Sequence, residues 1–344
     1  MGNYKSARFS YEDAVNMYKN ADILELGAAA DKIRREKHPD NVVTFVIDRN
    51  INYTNVCECK CKFCAFYKNK GDEGSYVISR DELADKIKET MSLGGSQILL
   101  QGGLHPDFKI DFYEDMLKFM KTFPMWLHAF SPPEIAHIAK KSGLSIPDTI
   151  MRLRKAGLDS IPGGGAEILD DDARKAVSPN KINSATWLSV MEEAHKQGMK
   201  TTATMMFRKK DSAEIIVGHF DKIRSLQDKT GGFTAFIPWP FQPGNSKLDD
   251  ESVTALEYLR VLALARIYLD NVPNIQVSWV TQGAKVAQIG LFFGGNDFGS
   301  VMIEENVVAA AGANFRLKTE EIKHIIASGG FTPKIRNMQY DIIG

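Results

Sequence analysis

From Val42 onward the chain alternates between two hydrophobic rhythms. Short apolar runs bounded by glycine, proline or polar clusters stand at 43–48, 97–101, 126–130, 158–162, 200–207, 233–239 and 275–280, with a weaker one at 298–303. Between them, at 80–93, 111–122, 184–197, 212–227 and 252–269, apolar residues recur at the helical period. The runs predict strands and the intervening stretches predict helices, and their alternation signals a parallel sheet. Ahead of this region, residues 10–36 read as two short amphipathic helices, with Ala28, Ala29 and Ala30 favouring helix. A last helical pattern lies at 318–328. Eight strand–helix units of this length fit a (β/α)8 barrel. A doubly wound sheet would need a G-x-G-x-x-G turn after its first strand, and Gly163-Gly164-Gly165-Ala166-Glu167 does not match it. The expected architecture is therefore one α/β domain over 1–344, a TIM-type barrel. An N-terminal helical segment (1–40) precedes the barrel (41–305), and a C-terminal extension (306–344) caps it.

A barrel of this kind collects its chemistry on the loops that follow its strands. Cys57–Cys64 follow the first run and Gln101-Gly-Gly-Leu-His105-Pro the second. Ser131-Pro-Pro-Glu134 follows the third, Gly163–Glu167 the fourth, Trp239–Asn245 the sixth and Thr281-Gln282-Gly283 the seventh.

Composition narrows the setting. The 344 residues are 44% hydrophobic, and 43 Lys and Arg balance 43 Asp and Glu. A formal net charge of zero argues against binding nucleic acid or a membrane surface by bulk electrostatics. No apolar stretch approaches the roughly 18 residues needed to span a bilayer, and no signal-peptide core opens the sequence. The expectation is a cytoplasmic protein acting on a small molecule, without membrane insertion. All four cysteines fall in one eight-residue window, too close together to staple distant loops.

Cys57, Cys61 and Cys64 stand as C-x3-C-x2-C. Iron–sulfur cubes normally take four cysteine ligands, so three on a short loop would leave one iron open, and an open metal position is where chemistry occurs. A zinc site would usually add a second, separated pair of ligands, and none is visible. Cys59, between the first two, is read as a bystander whose thiol points away, with a spare ligand as the other reading.

Phe63 before the last cysteine, and Phe66-Tyr67 after it, complete a loop that resembles the radical S-adenosylmethionine (SAM) superfamily. The resemblance implies a 4Fe–4S cluster whose open iron binds SAM, and release of a 5′-deoxyadenosyl radical on reduction. It also implies a flavodoxin- or ferredoxin-type reductant. Carried over by position, Phe63, Tyr67, Gly102, Gly103, Glu167, Thr204 and Met206 are the expected SAM contacts. Gly102-Gly103 matches a Gly-Gly-Glu motif, although Leu104 replaces its acidic member. Further segments, among them QILLQGGLHPD, SPPEI, IPGGGAEIL, TTATMMF, FIPWPFQPGN and VSWVTQG, look like the radical SAM enzymes of the futalosine route to menaquinone. Within that group they most resemble those that cyclise dehypoxanthine futalosine, a ribose joined to a carboxylated aromatic ring. Aminofutalosine synthases and the tyrosine-using deazaflavin-cofactor synthases are the alternatives, and an iron–sulfur electron carrier is the non-enzyme one. The implied reaction takes hydrogen from ribose C4′, adds the carbon radical to the ring, and then loses an electron and a proton.

His105, Glu134 and Glu167 are the candidates to take up that proton, and His128 is placed to face the barrel interior. Ser131, Asn180, Lys181, Gln242, Asn245 and Thr281 are candidate substrate contacts. His137, His195, His219 and His324 fall on helical patterns and are assigned to the outer surface. Glu304, Glu305 and Asn306 are expected to brace the closing strand. One departure stands out: Arg208-Lys209-Lys210-Asp211 occupies the place of the family's Gly-His-Val-Glu. Its long side chains are read as turned to solvent, with a substrate-carboxylate site at Arg208 as the sharper possibility.

Overall fold

The computed structural model describes residues 8–312 and 315–344. Nine strands are present among them: β1 (Val42–Val46), β2 (Asp48–Asn52), β3 (Gln97–Gln101), β4 (Trp126–Ala129), β5 (Thr201–Phe207), β6 (Phe233–Pro240), β7 (Asn274–Ile275), β8 (Asp297–Ser300) and β9 (Thr332–Ile335). They pair in parallel as three three-stranded sheets, β8-β1-β9, β2-β3-β4 and β5-β6-β7. Single parallel bridges connect the pieces: His128 to Ser160, Ile161 to Thr201, and Gln276 to Asp297. Helices cross over between the strands, as the parallel order requires.

The first predicted run is longer than its apolar part. It breaks at Ile47 and resumes as β2, which is registered on β3 from Asp48–Gln97 to Asn52–Gln101. Asp and Asn are poor strand formers, which hid this extension. The fourth run, 158–162, forms only the bridges at Ser160 and Ile161 before Pro162, which lacks an N–H, and the glycines. The seventh overreaches: β7 ends at Ile275, and Trp279–Gly290 is helical with a kink at Gly283. Trp279 is buried, and its indole N–H is satisfied by the Ser300 carbonyl at 3.0 Å. The two N-terminal helices occur at Tyr11–Asn20 and Ile23–Lys37, the second packed on the helix Ala255–Tyr268.

The C-terminal segment does more than cap. After the helix Thr319–Ser328 it adds β9 against β1, from Val42–Thr332 to Phe45–Ile335. Just beyond, Arg336 forms a bidentate pair with Asp297, Nε to Oδ2 at 2.5 Å and Nη2 to Oδ1 at 2.9 Å. His137, His195 and His219 are buried, correcting their assignment to the surface, whereas His324 is exposed. Their helices pack those faces inward. No helix among the described residues is long and apolar enough to cross a membrane.

Candidate active site

One cavity of about 420 Å³ opens among the strand ends and reaches deep between the strands. All four cysteines line it, with Phe63, Tyr67, Gly102, Gly103, Ser131, Glu134, Glu167, Lys181, Thr204, Thr281 and His128. The loop after β2 is clamped on both sides. Cys57 N–H donates to the Lys68 carbonyl at 3.1 Å, and Glu58 N–H to the Leu104 carbonyl at 3.0 Å. Gly103 N–H reaches the Thr54 carbonyl at 2.9 Å. A Cβ on Gly103 would stand 2.2 Å from the Val56 carbonyl oxygen, so only glycine lets the β3 end lie against the cysteine loop.

Cys59 does not point away. Its sulfur lies 3.5 Å from that of Cys61, and it lines the same cavity, which corrects the expected orientation of the thiol. The contact with Cys59 holds the Cys61 thiol down, to about 6, and raises that of Cys59. Burial raises Cys57 and Cys64. Burial opposes the charge on Lys181, but Cys61 and Glu167 outweigh it and keep the ammonium protonated. Soft thiolates beside a buried cation fit an iron–sulfur cluster, whose thiolate-bound form is anionic.

Glu167 adopts a left-handed backbone with φ 42°, a sparsely populated conformation for a residue with a side chain. The loop is pinned there because Met206 N–H donates to its carbonyl at 2.7 Å. Its carboxylate receives Lys181 Nζ at 2.5 Å and Arg174 Nη1 at 3.4 Å. Lys181 also sits over the Phe63 ring, 5.3 Å from its centre.

Glu134 is saturated. Oε1 accepts from the Tyr53 hydroxyl at 2.8 Å and Gly102 N–H at 3.0 Å. Oε2 accepts from Ser131 N–H at 2.7 Å and Ser131 Oγ at 2.6 Å. Burial raises its pKa and these four bonds oppose the rise. Glu134 is thus the brace between the β3 end and the helix Pro132–Ser142, with no lone pair directed at a substrate. His128 faces the cavity as expected, with Nδ1 2.7 Å from Ser160 Oγ, and burial pushes it down to about 3.

Five expected site residues lie outside the cavity lining. His105 turns away to stack on Phe108, ring centres 3.7 Å apart, and its carbonyl accepts from His137 Nε2 at 2.9 Å. Met206, on β5, is buried and does not line the cavity. Asn180 donates to the Cys59 carbonyl at 3.2 Å, so it supports the cysteine loop. Gln242 Nε2 donates to the Pro240 carbonyl at 3.0 Å, and Asn245 Nδ2 to that of Ala310 at 2.9 Å. Arg208 is corrected on both readings. It is buried, and its guanidinium pairs with Asp211, Nη2 to Oδ1 at 2.5 Å. Lys209 and Lys210 are exposed and reach Glu251 and Asp250. Of the three residues expected to brace the closing strand, Glu304 binds Lys86 at 2.6 Å, while Glu305 accepts from three backbone N–H groups at 307–309.

Sequence reasoning missed the deep wall: Asp48, Asn50, Gln97, Gln276, Ser300, Arg336 and Tyr340. Polar residues at 48, 50 and 52 recur at the strand period, a signal that was available.

Residues 51–223 match the family model "Radical SAM superfamily", and 230–343 match "CofH/MqnC C-terminal region". The chain belongs to the radical SAM superfamily. Its cofactors are a 4Fe–4S cluster and SAM. It is 45% identical to a cyclic dehypoxanthine futalosine synthase of Halalkalibacterium halodurans, covering 98% of this chain and 92% of that protein. Identity to the Streptomyces coelicolor protein of the same name is 42%, over 97% and 85%. A 5-amino-6-(D-ribitylamino)uracil–L-tyrosine 4-hydroxyphenyl transferase of Methanococcoides burtonii is 40% identical, over 96% and 94%. Among solved structures, the FeFe-hydrogenase maturase HydG of Carboxydothermus hydrogenoformans superposes with a TM-score of 0.74 at 18% identity, over 98% of this chain and 78% of that one. Methylornithine synthase gives 0.69 at 17%, over 96% and 95%. These two likenesses support the radical SAM fold.

Proposed function

We propose that this radical SAM enzyme converts dehypoxanthine futalosine to cyclic dehypoxanthine futalosine, in menaquinone biosynthesis. The supporting observation is identity above 40%, over nearly the whole chain, to two synthases of that name. The three sheets and their bridges are read as one (β/α)8 barrel, ringed from β1 through β8, with 1–40 and 306–344 as flanking segments.

In this reading Cys57, Cys61 and Cys64 hold the cluster, leaving one iron for SAM. Reduced and bound together, cluster and SAM supply a 5′-deoxyadenosyl radical. Gly102 and Gly103 offer backbone to the SAM methionine, Glu167 takes the ribose hydroxyls, and Phe63, Tyr67 and Thr204 shape the remaining wall. Ser131, Lys181 and Thr281 face the substrate. The walls exclude water and hold the ribose C4′ hydrogen within reach, which positions the reacting atoms and protects the carbon radical. For the proton released when the ring regains aromaticity, Glu167 keeps its assignment, because Glu134 is saturated and His105 lies elsewhere. We further propose a cytoplasmic enzyme with a flavodoxin or ferredoxin as electron source; cysteines clustered in one window, unable to staple distant loops, support this reading.

The test is anaerobic reconstitution, reduction, and addition of SAM with dehypoxanthine futalosine. The expected products are 5′-deoxyadenosine and a substrate derivative lighter by two hydrogens. The 40% identity to a 4-hydroxyphenyl transferase favours a second reading. Turnover of 5-amino-6-(D-ribitylamino)uracil with tyrosine, and none of dehypoxanthine futalosine, would replace the first.

A further inference from the structure

The deep wall of the cavity is chemically unusual for a strand-lined interior. Such interiors are commonly filled by branched aliphatic side chains. Here the inward positions of β2 carry Asp48, Asn50 and Asn52, and those of β3 carry Gln97, Leu99 and Gln101, all lining the cavity. Register sets Asp48 beside Gln97 and Asn50 beside Leu99.

Two of these side chains are left unfinished. Asp48 accepts from Gln97 Nε2 at 2.6 Å and from the Ser300 hydroxyl. That bond commits the Gln97 amide nitrogen to the carboxylate and turns Oε1 the other way. Gln97 is 1% exposed and Asn50 5% exposed, yet Gln97 Oε1 and Asn50 Oδ1 are buried without a hydrogen-bond partner among the described residues. Asn52, one step nearer the mouth, is satisfied by the Gln101 carbonyl at 3.2 Å and the Asn306 amide at 3.2 Å. The shortfall is therefore local to the deep end.

Buried polar atoms are rarely left unpaired, because the desolvation is then uncompensated. Both missing partners face acceptor atoms beside a carboxylate. The group that complements these two acceptors is a hydrogen-bond donor, such as an alcohol. We propose that Asn50 and Gln97 accept hydrogen bonds from sugar hydroxyls of the substrate, and so orient which ribose hydrogen faces the radical. This rests on the substrate reading above, in which the reacting carbon belongs to a ribose.

The experiment uses anaerobically reconstituted enzyme and the variants Asn50→Ala and Gln97→Ala. Iron content and SAM dissociation constant check that each variant is assembled. Each variant is expected to raise the substrate KM by roughly 10–100-fold, the range for one unpaired buried hydrogen-bonding group. Each is also expected to release more 5′-deoxyadenosine per cyclised product than the unmodified enzyme. A substrate analogue lacking ribose hydroxyls should cost the unmodified enzyme a similar factor, with little further loss in the variants. Unchanged KM and coupling would overturn the proposal and leave these acceptors to water. Equal losses on native and deoxygenated substrate would also overturn it, marking the residues as structural. If the unmodified enzyme cleaves SAM but never cyclises dehypoxanthine futalosine, the substrate reading itself fails, and this inference falls with it.

Discussion

Replacing Glu134 by glutamine should loosen the catalytic face without removing any atom that touches a reactant. The carboxylate gathers four donors: two on Oε1 from Tyr53 and Gly102, two on Oε2 from Ser131. Glutamine keeps one oxygen and sets an NH2 group against the other pair. A hydroxyl in that pair can rotate to accept, but a backbone N–H cannot, so one buried N–H is orphaned at about 1–3 kcal/mol. The surviving pair also loses its ionic partner, and hydrogen bonds to charged groups exceed neutral ones by about 1 kcal/mol. Relief of burying a charge offsets part of this, because burial already raises the Glu134 pKa. The net expectation is about 2–3 kcal/mol, or a fall in Tm of about 4–9 °C at about 2–3 °C per kcal/mol for a large domain. Glu134→Ala, which orphans all four donors and leaves a void, should lose more, about 5 kcal/mol. The assays are urea unfolding of the holoenzyme and equilibrium binding of SAM, since Gly102 is held by Oε1. A glutamine variant within about 0.5 kcal/mol of the parent, with unchanged SAM affinity, would refute the bracing role.

Three further outcomes follow from particular contacts. Gly103→Ala should push the β3 end off the Val56 carbonyl and sharply lower the iron retained after reconstitution, read by iron analysis and absorbance. Arg208→Met should strand the Asp211 carboxylate and cost about 3–5 kcal/mol in unfolding free energy, while the substrate KM stays put; a raised KM would revive the carboxylate-site idea. His128 and His219 are held near 3 and His195 near 4, so each is neutral when folded while the unfolded chain takes up a proton below about 6.5. Folded pKa values below the unfolded one mean stability falls as pH falls, by about 2 kcal/mol per histidine between pH 7 and 5. His219→Gln should flatten that slope in urea titrations at the two pH values, and an unchanged slope would contradict the assignment.

Much of the site was legible because its logic is local. The three-cysteine spacing, the aromatic at Phe63 and the glycines after β3 are each short segments, and the structure brings them onto one cavity. What escaped reading depends on which way a side chain turns within a loop. His105 follows a strand, as an active-site residue should, but Phe108 three residues on captures its ring. Arg208 looked free because four successive charged residues read as a solvated turn, although its backbone and side chain both close on Asp211 three residues on. Cys59 was read as pointing away, whereas its sulfur lies 3.5 Å from that of Cys61 in a loop that turns at Lys60, with φ 51°. The polar half of the first strand was lost to propensity, since Asp48, Asn50 and Asn52 owe their place to the cavity they serve.

The pairing of β9 with β1 also bears on how the enzyme comes into being. Thr332 lies beside Val42, so that strand contact spans nearly the whole sequence, and non-local pairings of this kind form slowly. Until it forms, β1 has an open edge on one side, and the Arg336–Asp297 pair that closes the deep end of the cavity is missing. A ribosome must release every other strand before that edge can be covered. The cysteine loop at the opposite end of the strands draws its clamps from Lys68, Leu104, Val177 and Asn180, all of them made well before β9. The deep end of the cavity, with Arg336 and Tyr340 in its wall, is thus the last part of the lining to be supplied by the chain.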